Sequence, residues 1–360
     1  MKRKFSLVVA ILLALALVLA ACGGSGGDAG SAAGGSSGGG KGQNDKVYEF
    51  DFNNLRSQNN AQSTDIILPW VQLVEEKTNG RVKINVHYNG ALGKQDNIYH
   101  DLSNGLYDFA IMNTQAVEET ENHLITVGDL PLIASGDIEL DTKVFTEYYN
   151  RHKDEVLKDV VVMAVATTPY YHLLSTVPLQ KAEDLKGLTI RAGVESEAAL
   201  YKDWGMVPVD IPPEERYDAL HKGIIKAIGT AKYVAVDSRY YEVAKYMYTM
   251  PFKTFHQAAL MNKASFESLP EDLQKIFTEE LFPALADLMT KGNVKLEDQG
   301  HEQLAQLIDV TDFPAEEFEK LKAMAKSSED AWIKNAEKRG LNGAQLVQEY
   351  KDIQKQLSGK

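Results

Sequence analysis

The chain has 360 residues, with 38 basic against 51 acidic side chains and a formal net charge of −13. This balance excludes a nucleic-acid partner and broad electrostatic capture of anions, while leaving room for one local basic pocket. A single cysteine, Cys22, excludes an internal disulfide,.

Lys2, Arg3 and Lys4 precede an uncharged run from Phe5 to Leu19 that ends in Leu19-Ala20-Ala21-Cys22. A basic start, a short apolar core and small residues at the cut site describe a secretory signal over residues 1–21. At about 1.5 Å per residue the run reaches about 22 Å, short of a roughly 30 Å hydrocarbon core. The small-small-Cys ending resembles a bacterial lipobox. That implies cleavage before Cys22, lipidation of Cys22, and a chain anchored on the extracytoplasmic face of the cell membrane. Loss of Lys2, Arg3 and Lys4 takes the net charge from −13 to −16. Residues 23–42 hold eleven Gly and four Ser, so residues 22–45 read as a lipidated tether with a root-mean-square span of about 25 Å.

The remaining body of about 315 residues exceeds one ordinary core and suits two lobes. Its order is legible from the alternations. Tyr48, Phe50 and Phe52 predict a strand, and Ile66, Ile67, Trp70, Val71 and Val74 predict a helix over Ser63–Lys77 that stops at Asn79-Gly80,. Val82, Ile84, Val86 and Tyr88 predict a second strand, hence a right-handed parallel crossover,. A helix near Gln95–Asn104 and a strand near Tyr107–Met112 repeat the unit. A helix over Leu140–Leu157 leads into a buried strand at Val160–Ala166. Strands follow at Leu188–Arg191, Val207–Val209 and Ile224–Ile228, with helices at Ser196–Trp204 and Pro213–His221. From Glu271 onward nearly everything reads as helix. No second apolar stretch is long enough to span a membrane,.

Signatures of catalysis are missing. The sequence has no G-x-S-x-G elbow, no H-E-x-x-H, no phosphate loop and no Cys/His metal spacing,. Glu75-Glu76, Glu118-Glu119 and Glu214-Glu215 are adjacent in sequence and diverge by about 100° on a helix, so they do not converge on one substrate. A binding protein fits better than an enzyme, and no cofactor or metal is implied.

The segment Asp184-Leu185-Lys186-Gly187-Leu188-Thr189-Ile190-Arg191 resembles the D-L-K-G-L-x-I-R signature of solute-binding proteins of tripartite ATP-independent periplasmic (TRAP) transporters. Gly90-Ala91-Leu92-Gly93, Gly105-Leu106-Tyr107-Asp108, Gly205-Met206-Val207-Pro208-Val209 and Glu215-Arg216-Tyr217-Asp218-Ala219-Leu220 resemble further family segments in the same order. The resemblance implies a two-lobed, periplasmic-binding-protein-like α/β fold with hinge-crossing strands and a helical C-terminal region. It places residues 46–168 plus 256–295 in one lobe and 169–255 plus 296–360 in the other. It implies a protein that captures a small organic acid by lobe closure and delivers it to TRAP permease subunits in the membrane.

The family's central ligand contact falls on Arg191, a guanidinium that offers a carboxylate two parallel donors and stays charged without water. The resemblance brings further cleft positions with it. Tyr171 stands where many members have a second basic residue, and Tyr170 is beside it. Thr230 replaces a ligand-touching asparagine, Pro213 a common aromatic, and Asn113 a carboxylate found in some members. Arg56 closes the first strand's loop, and Tyr233 extends the aromatic lining. A tyrosine in place of a second arginine points to a monocarboxylate with an aromatic or otherwise apolar body. The alternatives are a solute-binding lipoprotein of an ATP-driven importer, a tethered sensor presenting ligand to a receptor kinase, and a secreted hydrolase.

Overall fold

A computed structural model describes residues 46–212 and 215–359 of the protein. Cys22, the signal and tether segments, and Pro213 lie outside these residues. β1 (Tyr48–Asn53) buries Phe50 and Phe52. A π-wound turn, Ser63–Ile67, leads into α1 (Leu68–Lys77), and Pro69, with no amide to donate, falls at the change of winding,. The helix ends where Asn79 and Gly80 turn left-handed and Gly80 N donates to Glu75 O at 2.8 Å,. β2 (Val82–His87) then runs parallel to β1, as the crossover requires.

The chain continues through α2 (Ile98–Ser103), β3 (Phe109–Asn113), α3 (Ile138–His152), β4 (Val160–Thr167) and β5 (Tyr171–Ser175). β6 (Thr189–Ala192), α4 (Glu195–Asp203), β7 (Val207–Asp210), α5 (Arg216–His221), β8 (Ala227–Thr230) and α6 (Lys232–Asp237) follow. β9 (Tyr246–Lys253) and β10 (His256–Asn262) precede α7 (Lys263–Glu267), α8 (Glu271–Ile276) and α9 (Phe282–Ala305). β11 (Asp309–Asp312), α10 (Ala315–Met324), α11 (Ser327–Lys338) and α12 (Gly343–Ser358) close the fold.

The strands form two sheets, β2-β1-β3-β10-β4 and β11-β9-β5-β8-β6-β7, one in each lobe. Two apolar clusters pack on the first sheet, one around Trp70, Phe277 and Leu285, the other around Phe145, Tyr148 and Leu260. Two more pack on the second, around Trp204 and Phe252 and around Leu220 and Leu304.

A two-stranded ribbon joins the lobes. β4 pairs antiparallel with β10 in the first sheet, and β5 with β9 in the second. Between them Thr168 N donates to Phe255 O at 2.9 Å and Phe255 N to Thr168 Oγ1 at 3.2 Å. Helix α9 is a further connection: Leu285 and Met289 belong to a first-lobe core and Leu304 to a second-lobe core.

Two strands escaped the sequence reading, and two sequence expectations change. β9 and β10 are buried along most of their length and so lack the period-two alternation that exposes a strand to pattern reading,. β8 begins at Ala227, because Gly223 at φ 70° turns the chain and leaves Ile224 exposed. Residues 296–360 do not all stay with the second lobe. α12 packs on α3, and Val347, Tyr350 and Ile353 share the core of Phe145 and Tyr148. An apolar stripe specifies that a helix must be covered, and long-range packing selects the partner.

Candidate functional site

The carboxyl ends of parallel strands β1, β3, β6 and β8 carry Asn53, Asn113, Arg191 and Thr230. Ligands of open α/β sheets bind outside such ends. Groups of the two lobes meet there: Asn60 Nδ2 donates to Asp237 Oδ2 at 2.9 Å.

The first-lobe wall is a chain of amides. Arg56 Nε donates to Gln62 Oε1 at 3.3 Å, Gln62 Nε2 to Gln257 Oε1 at 3.1 Å, and Gln257 Nε2 to Asn113 Oδ1 at 3.1 Å. Two sequence motifs hold this wall. Asn53 Nδ2 donates to Gly93 O at 3.0 Å, and Gly90, at φ 61°, donates its amide to Asn54 O at 2.9 Å. Asp108 accepts the Asp51 amide at 2.8 Å, so its role is structural.

In the second lobe, Asp184 accepts the amides of Gln180 and Lys181, and Gly187 turns at φ 76°. These residues launch β6 and leave Arg191 at its end. The Arg191 side chain is 15% exposed; its Nη1 lies 3.6 Å from Glu197 Oε2, and its Nε donates to Ile211 O at 3.4 Å. Glu197, at the start of α4, accepts the Gly193 amide at 2.8 Å and Lys253 Nζ at 3.0 Å. Lys253 ends β9 at the hinge and lies 4.4 Å from the centroid of Phe255, which meets Tyr171 edge-on at 5.3 Å.

The electrostatics follow from burial and these partners. Burial alone raises the Glu197 carboxyl, but Lys253, Arg191 and the Gly193 amide outweigh it and hold the group below its ordinary value,. Burial, then Glu197 and Tyr233, push the Tyr171 hydroxyl up to about 12 against the pull of Arg216 and Arg191. Burial also raises the Tyr233 hydroxyl, against Arg56 across the cleft. Glu118, on the first-lobe side, is lifted to about 7 by burial, with Lys253 opposing and Asp129, Glu119 and Glu197 adding to the rise.

The structure thus brings Arg191 and Tyr171 together on one wall and Arg56 and Asn113 on the other, with Tyr233 between lobes. Thr230 is buried and donates to Ala231 O at 3.3 Å. Tyr170 points away from Arg191: it donates to Asp141 Oδ2 at 2.6 Å and lines a different cavity of about 400 Å³ with His172, Lys232 and Glu297. The lysine of that cavity, Lys232, and the Nε2 of His172 are both committed to Glu297, at 2.9 and 3.0 Å; burial lowers the His172 imidazole, and Asp137, Glu139 and Asp298 add negative charge, so it does not suit an anion,. Sequence reading set Glu118 aside as one of a divergent acidic pair, and it missed Glu197, Lys253, Gln62 and Gln257. Only Lys253 left a signal, a lone cation closing an apolar run. Among the described residues no group of three His, Cys, Asp or Glu is arranged to hold a metal ion.

A sequence model of bacterial extracellular solute-binding protein, family 7, matches residues 52–336. A solute-binding protein of Sulfitobacter sp. (strain NAS-14.1) is 24% identical over 276 residues, covering 75% of this chain and 82% of that protein. The fold is similar to a TRAP solute binding protein from Rhodoferax ferrireducens T118 in complex with copurified benzoate. There the TM-score is 0.77 at 21% identity, covering 87% of this chain and 99% of that one. A marine metagenome TRAP protein specific for aromatic acid ligands, with 3-hydroxybenzoate, matches with TM-score 0.77 at 22% identity, covering 86% and 99%. A Bordetella bronchiseptica protein with bound (R)- and (S)-mandelate matches with TM-score 0.73 at 19% identity, covering 86% and 99%. With residues 52–336 matched by the family model, the chain belongs to bacterial extracellular solute-binding protein family 7, and its two-lobed fold is similar to that of the solved TRAP proteins.

Proposed function

We propose that the protein captures a small monocarboxylic acid with an aromatic or apolar body between its lobes, through a charged pair with Arg191, and hands it to TRAP permease subunits. Anchoring through lipid on Cys22 belongs to the same reading, with the Gly/Ser tract as tether. The observation that carries it is Arg191 itself. It is largely buried at a strand's carboxyl end, and its nearest carboxylate lies beyond hydrogen-bond range. Tyr171 and Phe255 supply aromatic surface beside it. The acids in complex with the Rhodoferax, metagenome and Bordetella proteins are of this class.

Closure follows as a population shift: the ligand favours the closed state because it touches both walls there. A thermal-shift screen over carboxylic acids tests the reading, since a ligand at about 100 times its dissociation constant adds about 2.7 kcal/mol of stability. Monocarboxylates are expected to raise the melting temperature. Shifts with sugars or cations and never with acids would rule the reading out.

A further inference from the structure

Two cations and one carboxylate are buried together where the second lobe meets the hinge. The side chains of Lys253, Glu197 and Arg191 are 1%, 3% and 15% exposed. Glu197 Oε1 takes Lys253 at 3.0 Å and Oε2 takes the Gly193 amide at 2.8 Å. Both oxygens are therefore engaged before Arg191 is reached. Arg191 lies 3.6 Å from Oε2, beyond the roughly 2.7–2.9 Å of a charged N–H···O bond. It is attracted to Glu197 and still has donors to offer.

In a buried site each uncompensated charge is costly, so the anionic charge a cleft accepts follows its local excess of cations. Glu197 uses up Lys253 and leaves Arg191 in excess. Other charges do not undo this. Arg56, across the cleft, acts on Asp237; Arg216, at the start of α5, has its Nε buried without a partner and acts on Tyr171, adding one cation that Glu118 offsets. Glu118 faces Lys253 and Glu197 from the first lobe and adds to the negative side.

Taking Arg191 as the carboxylate-binding group of the reading above, we propose that Glu197 sets the charge of the acid. By neutralising Lys253 it leaves one cation for one carboxylate, selecting singly charged acids over doubly charged ones. This device is separate from the tyrosine at position 171, which shapes the body of the ligand.

The test uses the full chain, calorimetry near neutral pH and two isosteric probes, 3-carbamoylbenzoate with one charge and isophthalate with two. The wild-type chain is expected to prefer 3-carbamoylbenzoate by about tenfold or more. Glu197→Gln is expected to move that preference toward isophthalate by about tenfold or more, and Glu197→Gln with Lys253→Met to return it to the wild-type value. Lys253→Met alone releases Glu197 to pair with Arg191 and is expected to weaken 3-carbamoylbenzoate about tenfold; this arm does not depend on Glu197→Gln folding.

Equal wild-type affinity for the two probes, an unmoved preference in Glu197→Gln, or wild-type affinity in Lys253→Met would overturn the role of Glu197 and leave that of Arg191 standing. A wild-type chain that binds neither probe, or an Arg191→Ala chain that binds as wild type does, would instead overturn the acid-binding reading and this inference with it.

Discussion

The guanidinium of Arg191 fills the space that a side chain on Gly193 would need; a Cβ there would overlap Nη1, Nη2 and Cζ of the arginine. Gly193 is not in the left-handed region, so its backbone does not demand glycine, whereas the arginine's position does,. Gly193→Ala is therefore expected to displace a flexible side-chain end and keep the fold. Acid binding should weaken about tenfold or more, measured by calorimetry beside a melting curve. Wild-type affinity in this variant would mean that the observed place of the guanidinium is not the one that binds.

Arg191→Ala is expected to weaken acid binding by about tenfold or more, equal to about 1.4 kcal/mol per decade, with unchanged circular dichroism. Arg191→Lys should recover only part of the loss, because an ammonium is a point charge without the planar two-donor edge. Full recovery by lysine would reduce the contact to charge alone.

Glu197 makes the fold sensitive to acid. Its folded-state pKa lies below the ordinary 4.5, so its stabilising contribution is complete above that value and is lost as pH falls through the lower, folded value. Glu197→Gln leaves Lys253 buried without its counter-ion and is expected to cost about 3–5 kcal/mol at neutral pH. That gap between variant and wild type should narrow as the medium is acidified below pH 4.5. Urea unfolding over a pH series measures it, and a gap independent of pH would contradict the assignment.

Glu118 works in the opposite sense. Its pKa is raised from 4.5 to about 7 in the folded chain. Between those values the folded state holds a proton that the unfolded state has released, so stability declines as pH rises through this window. Glu118→Gln removes the decline: its melting temperature should match wild type near pH 5 and exceed it near pH 8. Parallel melting curves for the two proteins across that range would refute the shift.

Much of the fold could be read directly because it is local. Phe50 and Phe52 alternate, Trp70 and Val74 lie one helical turn apart, and Asn79-Gly80 supplies the left-handed stop that ends α1. Strands β9 and β10 escaped because burial on both faces erases alternation, and the C-terminal helix was assigned to the wrong lobe because its stripe of Val347, Tyr350 and Ile353 names no partner.

The candidate site divides along the same line. Sequence by itself determined the family, the two-lobed α/β plan and the strand-end position of Arg191, all of which reside in short segments with characteristic order and spacing. Only the tertiary structure decided that Tyr170 turns to Asp141 while Tyr171 packs on Phe255, and that Lys253 reaches Glu197 across 56 positions of chain. Pairings of that kind arise when two lobes and a hinge ribbon enclose charges that need partners in the absence of water, and no local pattern encodes which charges will meet.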